Sequence, residues 1–354
     1  MNNFDLSDFA LKCICPNNEL IYDDKGMPSV MVKIPKMTLA QLGMGESTDP
    51  HPAFVVNGIE KDAIWISKYQ NIVQNGRAYS LPGQDPKASI TMDSAIAACI
   101  AKGAGHHMMT NAEWGLMVRI CQKLGSFPKG NNNYGKDSTE SFYKAIPTYI
   151  SSGQTNRVAT GTGPVTWAHD GSLSGIFDLK GNVWEWVGGM RTVYGELQIM
   201  ANNDAAIITT NHSASSPAWK AIDATSGALI TPNGSGTTEN SIKLDWVSSK
   251  LTYSTSITDA APGEHSCTFA NIVCNSSISE AAKLVLQELG LLQYGSSAEL
   301  FSGNNNYFNN AQAERCFYRG GYWGHSSYGL ASFYGYARSS SGTYIGFRSA
   351  YYET

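Results

Sequence analysis

The chain has 354 residues, of which 42% are hydrophobic and 15% charged, and its formal net charge is −4. This composition supports a packed core, because disordered chains combine low hydrophobicity with high net charge. The lack of a basic run argues against nucleic-acid binding, and the lack of an apolar run of roughly 18 residues argues against membrane insertion. The first residues contain Asp5 and Asp8 but no early cation, so we expect no signal peptide.

The predicted elements begin after a lead-in, residues 1–28, which we expect to precede one domain over residues 29–354. Val30, Val32 and Ile34 alternate with other residues and predict a strand, and AIWISKY repeats this pattern. The seven cysteines are odd in number and contain no CxxC pair, which argues against a disulfide framework or a zinc module. We interpret them as buried thiols.

Capping signals predict three helices. Thr91 is a suitable N-cap for TMDSAIAACIAKG, and Thr110 with Glu113 forms a capping box at the start of TNAEWGLMVRICQKLG. Ser277 and Glu280 have the same spacing and predict a third helix over SEAAKLVLQELG. Between the helices, AAIITT, SIKLDWV and TFANIVC have strand-like composition. The pattern is that of an α+β fold with a few helices, many short strands and long ordered loops.

GNVWEW, residues 181–186, is the sharpest local signal. A turn would leave Asn182 and Glu185 as oxygen donors beside Trp184 and Trp186, and hard oxygen ligands near a turn suit Ca²⁺. The alternative is that Glu185 accepts hydrogen bonds from the protein while the tryptophans fill the core. Spacing favours the hydrogen-bonded alternative but leaves Ca²⁺ open as a structural ion.

Five stretches follow one another along the chain: MVKIPKMTLAQLGMG, IWISKY, AIAACIAKGAGHHMMTNAEWGLM, GIFDLKGNVWEW and the final RGGYW…ARS…GFR. Together and in this order, they resemble the formylglycine-generating enzyme, or sulfatase-modifying factor, family. The resemblance covers about residues 30–190 and 315–352, and it implies a variant of the C-type lectin fold. The segment at about 191–314 is longer than the usual link between the two blocks, so we interpret it as an insertion.

The resemblance does not extend to the catalytic groups. The family's enzyme uses a thiol pair shortly after the Gly-Gly of the last block, whereas YWGHSSYGL at residues 322–330 contains no cysteine and Cys316 precedes this stretch. A related iron-dependent branch uses an HxxxH pair, a spacing that no histidine pair here has. His106 and His107 are adjacent and are expected to point opposite ways on a helix. We therefore predict no catalytic residue and no required cofactor.

The last block also resembles the variable region of proteins diversified by retroelements, which keep borders such as RGGxW and IGFR. That resemblance implies replacement of adenines, mostly in Asn codons, which yields Tyr, Ser, Gly or His but never Trp or Lys. Eight of the 18 tyrosines lie between residues 318 and 352, and no lysine does. We therefore predict a variable region at about residues 319–348. Tyrosine with Ser and Gly is also the composition of antibody binding loops.

The ten positions that we interpret as variable carry aromatic, hydroxyl or small side chains: Tyr322, Gly324, His325, Ser326, Tyr328, Tyr334, Tyr336, Ser340, Gly342 and Tyr344. The positions that we interpret as a constant frame are Arg319, Gly320, Gly321, Trp323, Ala337, Arg338, Gly346, Phe347 and Arg348. The arginines are expected to form inward hydrogen bonds to carbonyls or carboxylates. The alternative is a core-facing strand with tyrosines in the interior and a serine-rich hairpin.

The resulting expectation is a non-enzymatic binding protein whose carboxyl-terminal face contacts a protein or glycan on a cell surface. The missing signal peptide favours a phage tail protein over a cytoplasmic or surface-displayed bacterial protein. Multivalent display as a homo-oligomer is left open. The alternatives are a lectin of fixed specificity that binds glycans through Ca²⁺ at Asn182 and Glu185, a structural virion protein, and, disfavoured by the missing thiols, an oxidase of the formylglycine-generating type.

Overall fold

The computed structural model describes residues 5–295, 301 and 303–354. This part of the chain contains the α-helices α1 (Leu6–Ile14), α2 (Met92–Ile100), α3 (Asn111–Leu124) and α4 (Glu280–Glu288). Its strands are β1 (Asn18–Tyr22), β2 (Pro28–Pro35), β3 (Val55–Val56), β4 (Ile59–Glu60), β5 (Ala63–Ser67), β6 (Ile72–Gln74), β7 (Arg77–Tyr79), β8 (His106–Met108), β9 (Pro147–Ser151), β10 (Gln154–Val158), β11 (Trp184–Val193), β12 (Glu196–Ile199), β13 (Lys220–Ile222), β14 (Leu229–Ile230), β15 (Lys243–Val247), β16 (Lys250–Ser254), β17 (Glu264–Thr268), β18 (Val273–Cys274), β19 (Asn305–Asn309), β20 (Arg315–Arg319), β21 (Phe333–Tyr336), β22 (Ile345–Phe347) and β23 (Ser349–Tyr351).

The helices begin where side chains can accept hydrogen bonds from their first amides. Thr91 caps α2, and the predicted capping box opens α3, with Thr110 Oγ1 accepting from the Glu113 amide at 3.1 Å and Glu113 accepting from the Thr110 amide at 2.9 Å. The predicted capping box of α4 is wrong. Ser279 is its N-cap, because Ser277 hydrogen-bonds Asn275 instead.

A five-stranded sheet joins the two ends of the chain, in the order β1-β2-β5-β23-β8. The expected lead-in therefore carries a helix and an edge strand, since β1 pairs antiparallel with β2. The histidines expected on a helix lie on β8, where His106 and His107 pair with Tyr351 and Ala350 of β23. The prediction of a helix was wrong here because strand pairing with a distant segment leaves no local signal.

A larger sheet has the central order β17-β19-β21-β20-β11-β12-β15-β16-β18 within the described residues, and β22 also pairs with β11. The segment at 191–314 contributes strands to both edges of this sheet. One set of its strands follows β11 in the strand order, and the other set precedes β21. Its residues therefore extend the same sheet. The prediction of a strand over AAIITT, residues 205–210, is wrong, because this stretch starts within a 3-10 turn over Asp204–Ala206 and belongs to none of the strands above.

The main core lies between the large sheet and α3, whose Trp114, Leu116 and Met117 are fully buried. α4 packs closely on α3, because a Cβ atom at Gly115 would lie 2.2 Å from the Glu288 carbonyl oxygen. A second buried cluster contains Trp184, Trp186, Tyr318 and Phe347. No helix in the described residues is both long and apolar enough to cross a membrane.

Candidate functional site: the tyrosine face

Both borders of the predicted variable region pair with the start of β11. Glu185 lies opposite Arg319 on the antiparallel side, where β20 pairs, and opposite Gly346 on the parallel side, where β22 pairs. The chain between these borders therefore leaves one side of β11 and returns to its other side. A strand from the GNVWEW motif thus holds the two borders next to each other.

A buried ion pair attaches the carboxyl-terminal border to that motif. Arg348 donates from Nε and Nη2 to the two carboxylate oxygens of Glu185, both at 2.9 Å, and its side chain is 0% exposed. It also donates to the carbonyl oxygens of Ser67 at 2.7 Å and Phe177 at 2.8 Å. A bidentate guanidinium with additional acceptors gives a fixed geometry.

The amino-terminal border is held by backbone carbonyls. Arg319 is fully buried and donates to Asn111 Oδ1 at 2.7 Å, to the Gly290 carbonyl at 2.9 Å and to the Ser332 carbonyl at 3.1 Å. Burial lowers the pKa of Arg319 to about 9, which leaves it protonated at neutral pH. Arg338 lies nearer the surface and pairs with Glu314 and Asp93.

The glycines of the frame differ from the glycines at the candidate variable positions in backbone conformation and in the atoms that surround them. Gly320 and Gly321 have φ of 90° and 92°, and a Cβ at Gly320 would lie 2.8 Å from a backbone carbonyl oxygen. At Gly346 a Cβ would lie 2.6 Å from another carbonyl oxygen. Gly324 and Gly342 lack a positive φ, and an added Cβ would first meet the rings of tyrosines. Larger side chains therefore fit only where a flexible ring can move aside.

The ten candidate variable positions are all at least partly exposed. His325, Ser326, Tyr336 and Tyr344 are exposed, and the other six are half-buried. On β21, Phe333 and Gly335 are buried whereas Tyr334 is half-buried and Tyr336 exposes 40% of its surface. The alternation of the strand thus directs the phenol rings outward, contrary to the core-facing alternative.

The tyrosines form one continuous aromatic surface, here called the tyrosine face and defined as Tyr307, Tyr322, Tyr328, Tyr334, Tyr336 and Tyr344. Neighbouring ring centroids are 5.2 Å apart for Tyr322 and Tyr344, and 6.4 Å apart both for Tyr322 with Tyr328 and for Tyr328 with Tyr334. The buried Trp184 packs beneath, 4.8 Å from Tyr328 and 5.7 Å from Tyr334. Packing on a rigid base reduces the entropy lost when the rings contact a partner.

Tyr307 belongs to this face although it lies in the segment interpreted as an insertion. Its ring stacks on Tyr334 at 4.1 Å, and β19 pairs with β21 at these two residues. Asn306 from the same strand accepts a hydrogen bond from the Phe333 amide at 2.8 Å. Tyr307 was not among the predicted site residues, because NNYFN has no apolar–polar alternation that would predict a strand. The segment therefore supports the tyrosine face and adds a residue to it.

The phenols of Tyr322, Tyr328 and Tyr334 are neutral at physiological pH. Burial, and then the neighbouring tyrosine hydroxyls, raise the pKa of Tyr322, Tyr328 and Tyr334 above its ordinary value. Each phenol can therefore donate one hydrogen bond and accept others while its ring supplies apolar contact area. This combination suits recognition of varied partners.

The candidate calcium ligands are engaged by protein groups. Glu185 Oε2 accepts a hydrogen bond from Arg348. Glu185 Oε1 accepts one from Arg348 and another from the Gln70 side-chain amide, the Gln70 bond being 2.9 Å long. Asn182 accepts from the Val158 amide at 2.9 Å and donates to Gln70 Oε1 at 3.0 Å. This arrangement matches the hydrogen-bonded alternative. No group of three or more His, Cys, Asp or Glu side chains suited to a metal occurs in the described part of the chain.

A family model described as the sulfatase-modifying factor enzyme 1-like domain matches residues 31–225, more than half of the 354 residues. The chain belongs to the sulfatase-modifying factor family. The expected fold is confirmed: this is the α+β C-type lectin fold of that family. The matched range extends to residue 225, inside the segment at about 191–314 that we interpreted as an insertion. It does not include the last block, residues 315–352, which the resemblance was expected to cover.

Three solved structures resemble this family member at low scores. PvdO from Pseudomonas aeruginosa has 13% identity and a TM-score of 0.37, with 95% of this chain and 98% of that chain covered. Treponema denticola variable protein 1 has 12% identity and a TM-score of 0.34, with 95% and 99% covered. The U1 variant of Major Tropism Determinant has 11% identity and a TM-score of 0.29, with 91% and 63% covered. No curated protein matches the chain.

The sulfatase-modifying factor family includes enzymes, so the thiols near the tyrosine face matter. All seven cysteines are free. Cys316 is buried in β20, and burial raises the pKa of its thiol to about 12. Thiolates, rather than thiols, are the nucleophiles and metal ligands. Cys316 is thus a buried apolar residue beneath the face and lacks the environment of a reactive cysteine.

Proposed function

We propose that this member of the sulfatase-modifying factor family is a non-enzymatic binding protein. The tyrosine face would contact a protein or glycan on a cell surface, and the ten candidate positions would be diversified. A phage tail receptor-binding protein fits this role, with a surface-displayed bacterial binder as the second context. Multivalent display would raise the effective affinity of such a face.

One observation carries the proposal: in the described part of the chain, the side-chain hydrogen bonds of the frame do not involve the ten candidate side chains. Arg348 is held by Glu185 and two carbonyls, and Arg319 by Asn111 and carbonyls. Replacement of an outward tyrosine would therefore leave these bonds in place. A binding surface that changes on a rigid scaffold requires this separation.

The binding part of the proposal is tested with a triple variant in which Tyr328, Tyr334 and Tyr336 become Ala. We expect its binding to a panel of bacterial cells, measured with labelled protein, to fall at least about 100-fold, since a tyrosine at an interface hot spot contributes about 2 kcal/mol or more. Tyr22→Ala, at an exposed tyrosine on β1, is the matched control and should bind like the unaltered protein. Equal binding by the triple variant would contradict the proposal.

The diversification part is tested in the flanking DNA. We expect a near-copy of the sequence encoding residues 319–348 that differs at adenines, next to a reverse transcriptase gene. Sequencing of this locus in related isolates should place amino-acid differences at the ten candidate positions. Differences concentrated instead at the frame residues would refute the assignment of variable positions.

A further inference from the structure

A cavity of about 350 Å³ opens beside the tyrosine face. Ser326 and Tyr328 from the variable region line one part of it, and Lys129 and Lys180 from outside that region line another. This volume is at the lower end of the roughly 300–1,000 Å³ that small-molecule sites occupy. The cavity therefore combines residues that we propose to vary with residues that stay constant.

The charged groups of this cavity favour an anion. Among the described residues, its lining contains two lysines and no carboxylate. The Lys180 ammonium pairs with Asp137 at 2.9 Å, and both Asp137 oxygens also accept hydrogen bonds from Gly130 or Thr139. Lys129 forms no ion pair among the described residues, so one positive charge is unmatched. A second cavity differs in this respect, because Asp85 lines it together with Arg157.

Apolar groups complete the lining. Phe127 is half-buried and contributes carbon surface to the lining that includes Tyr328, whereas Pro128 and Leu330 are buried and contribute little. Aromatic rings pack well against the flat apolar face of a ligand. The hydroxyl group of a partly exposed tyrosine can still form a hydrogen bond at the edge of its ring. A ligand that fits must therefore carry a negative charge and also a compact carbon surface.

We propose that this cavity binds one acidic monosaccharide unit of a surface glycan, with its carboxylate at Lys129 and its ring against Tyr328. The inference rests on the proposed function, because it makes the cavity a constant subsite of the same binding face. Replacement of Ser326 or Tyr328 would then alter which acidic sugar fits, while Lys129 would keep the preference for a carboxylate. A charge-assisted contact of this kind is commonly stronger than a neutral one.

The experiment is a saturation-transfer NMR titration of the full chain with D-glucuronate, and with D-glucose as the neutral probe at equal ionic strength. We expect saturable D-glucuronate binding in the millimolar range and at least tenfold weaker D-glucose binding. Lys129→Gln should abolish this difference. Lys87→Gln, which removes a lysine that lines the second cavity, should preserve it. Equal binding of both sugars, or no saturable D-glucuronate signal, would overturn the proposal.

The cell-binding assay separates this inference from the proposed function. Loss of cell binding in the tyrosine triple variant without any D-glucuronate response would leave the tyrosine face as the binding surface and reject the subsite. A D-glucuronate response that depends on Lys129, together with unaffected cell binding by the triple variant, would support the subsite and reject the proposed role of the tyrosine face.

Discussion

Replacing Arg348 by Met tests whether the buried ion pair holds the carboxyl-terminal border in place. Met has a similar apolar length but lacks the guanidinium, so Glu185 would lose both of its 2.9 Å contacts with Arg348 and keep the donor of Gln70. The carbonyl oxygens of Ser67 and Phe177 would also lose their donor. The substitution thus leaves a buried, nearly uncompensated carboxylate.

The expected loss is large because both side chains are inaccessible, with exposures of 0% for Arg348 and 1% for Glu185. Removing one partner of a buried pair costs about 3–5 kcal/mol, a large share of the roughly 5–15 kcal/mol that stabilises a typical domain. Urea unfolding followed by tryptophan fluorescence measures this difference. Arg338→Met is the control, because the Arg338 side chain is 15% exposed and its partner Asp93 is 64% exposed, so its loss should be clearly smaller.

The double variant Arg348→Met with Glu185→Gln removes the charge that the single variant leaves behind. It should recover part of the lost stability, because a neutral amide is less costly to bury than an isolated carboxylate. If Arg348→Met unfolds at the same urea concentration as Arg338→Met, the ion pair does not hold the border and the reasoning is refuted. The same conclusion follows if the double variant is less stable than Arg348→Met.

The remaining predictions concern backbone, protonation and metal. Gly320→Ala should lower the free energy of unfolding by about 2 kcal/mol or more, because Gly320 has a positive φ and a carbonyl oxygen would lie 2.8 Å from the new Cβ. Gly342→Ala is the control and should change the thermal midpoint of unfolding little. Equal shifts of the thermal midpoint in the two variants would contradict the division into two classes of glycine. Burial raises the pKa of the Asp178 carboxyl from 3.8 to about 6, so the stability from its neutral form is present below pH 3.8 and lost as the pH rises through 6. Asp178→Asn should therefore gain up to about 3 kcal/mol relative to the unaltered protein between pH 4 and 7, and a constant difference in urea midpoints would refute this. EDTA should leave the thermal midpoint unchanged, since Asn182 and Glu185 already bind protein donors; a clear decrease would favour a calcium site.

Local signals in the sequence were sufficient for the features that depend on neighbouring residues. The starts of α2 and α3 were predicted from Thr91 and from the pair Thr110 and Glu113, because a capping hydrogen bond spans only three residues. The exposed tyrosines of the last block were expected from its Tyr, Ser and Gly composition, whereas the alternation over residues 333–336 was equally compatible with a core-facing strand. The family followed from motifs that keep their order along the chain.

Tertiary structure alone decided what comes together across long sequence separations. It placed Arg319 and Gly346 on opposite sides of Glu185, added Tyr307 to the tyrosine face and turned the segment around His107 into a strand beside β23. Strand pairing depends on side-chain packing with a partner that no local pattern identifies, so its register is absent from any short window of sequence. The cavity at Lys129 has the same origin, because its lining residues come from separate segments that only folding brings together.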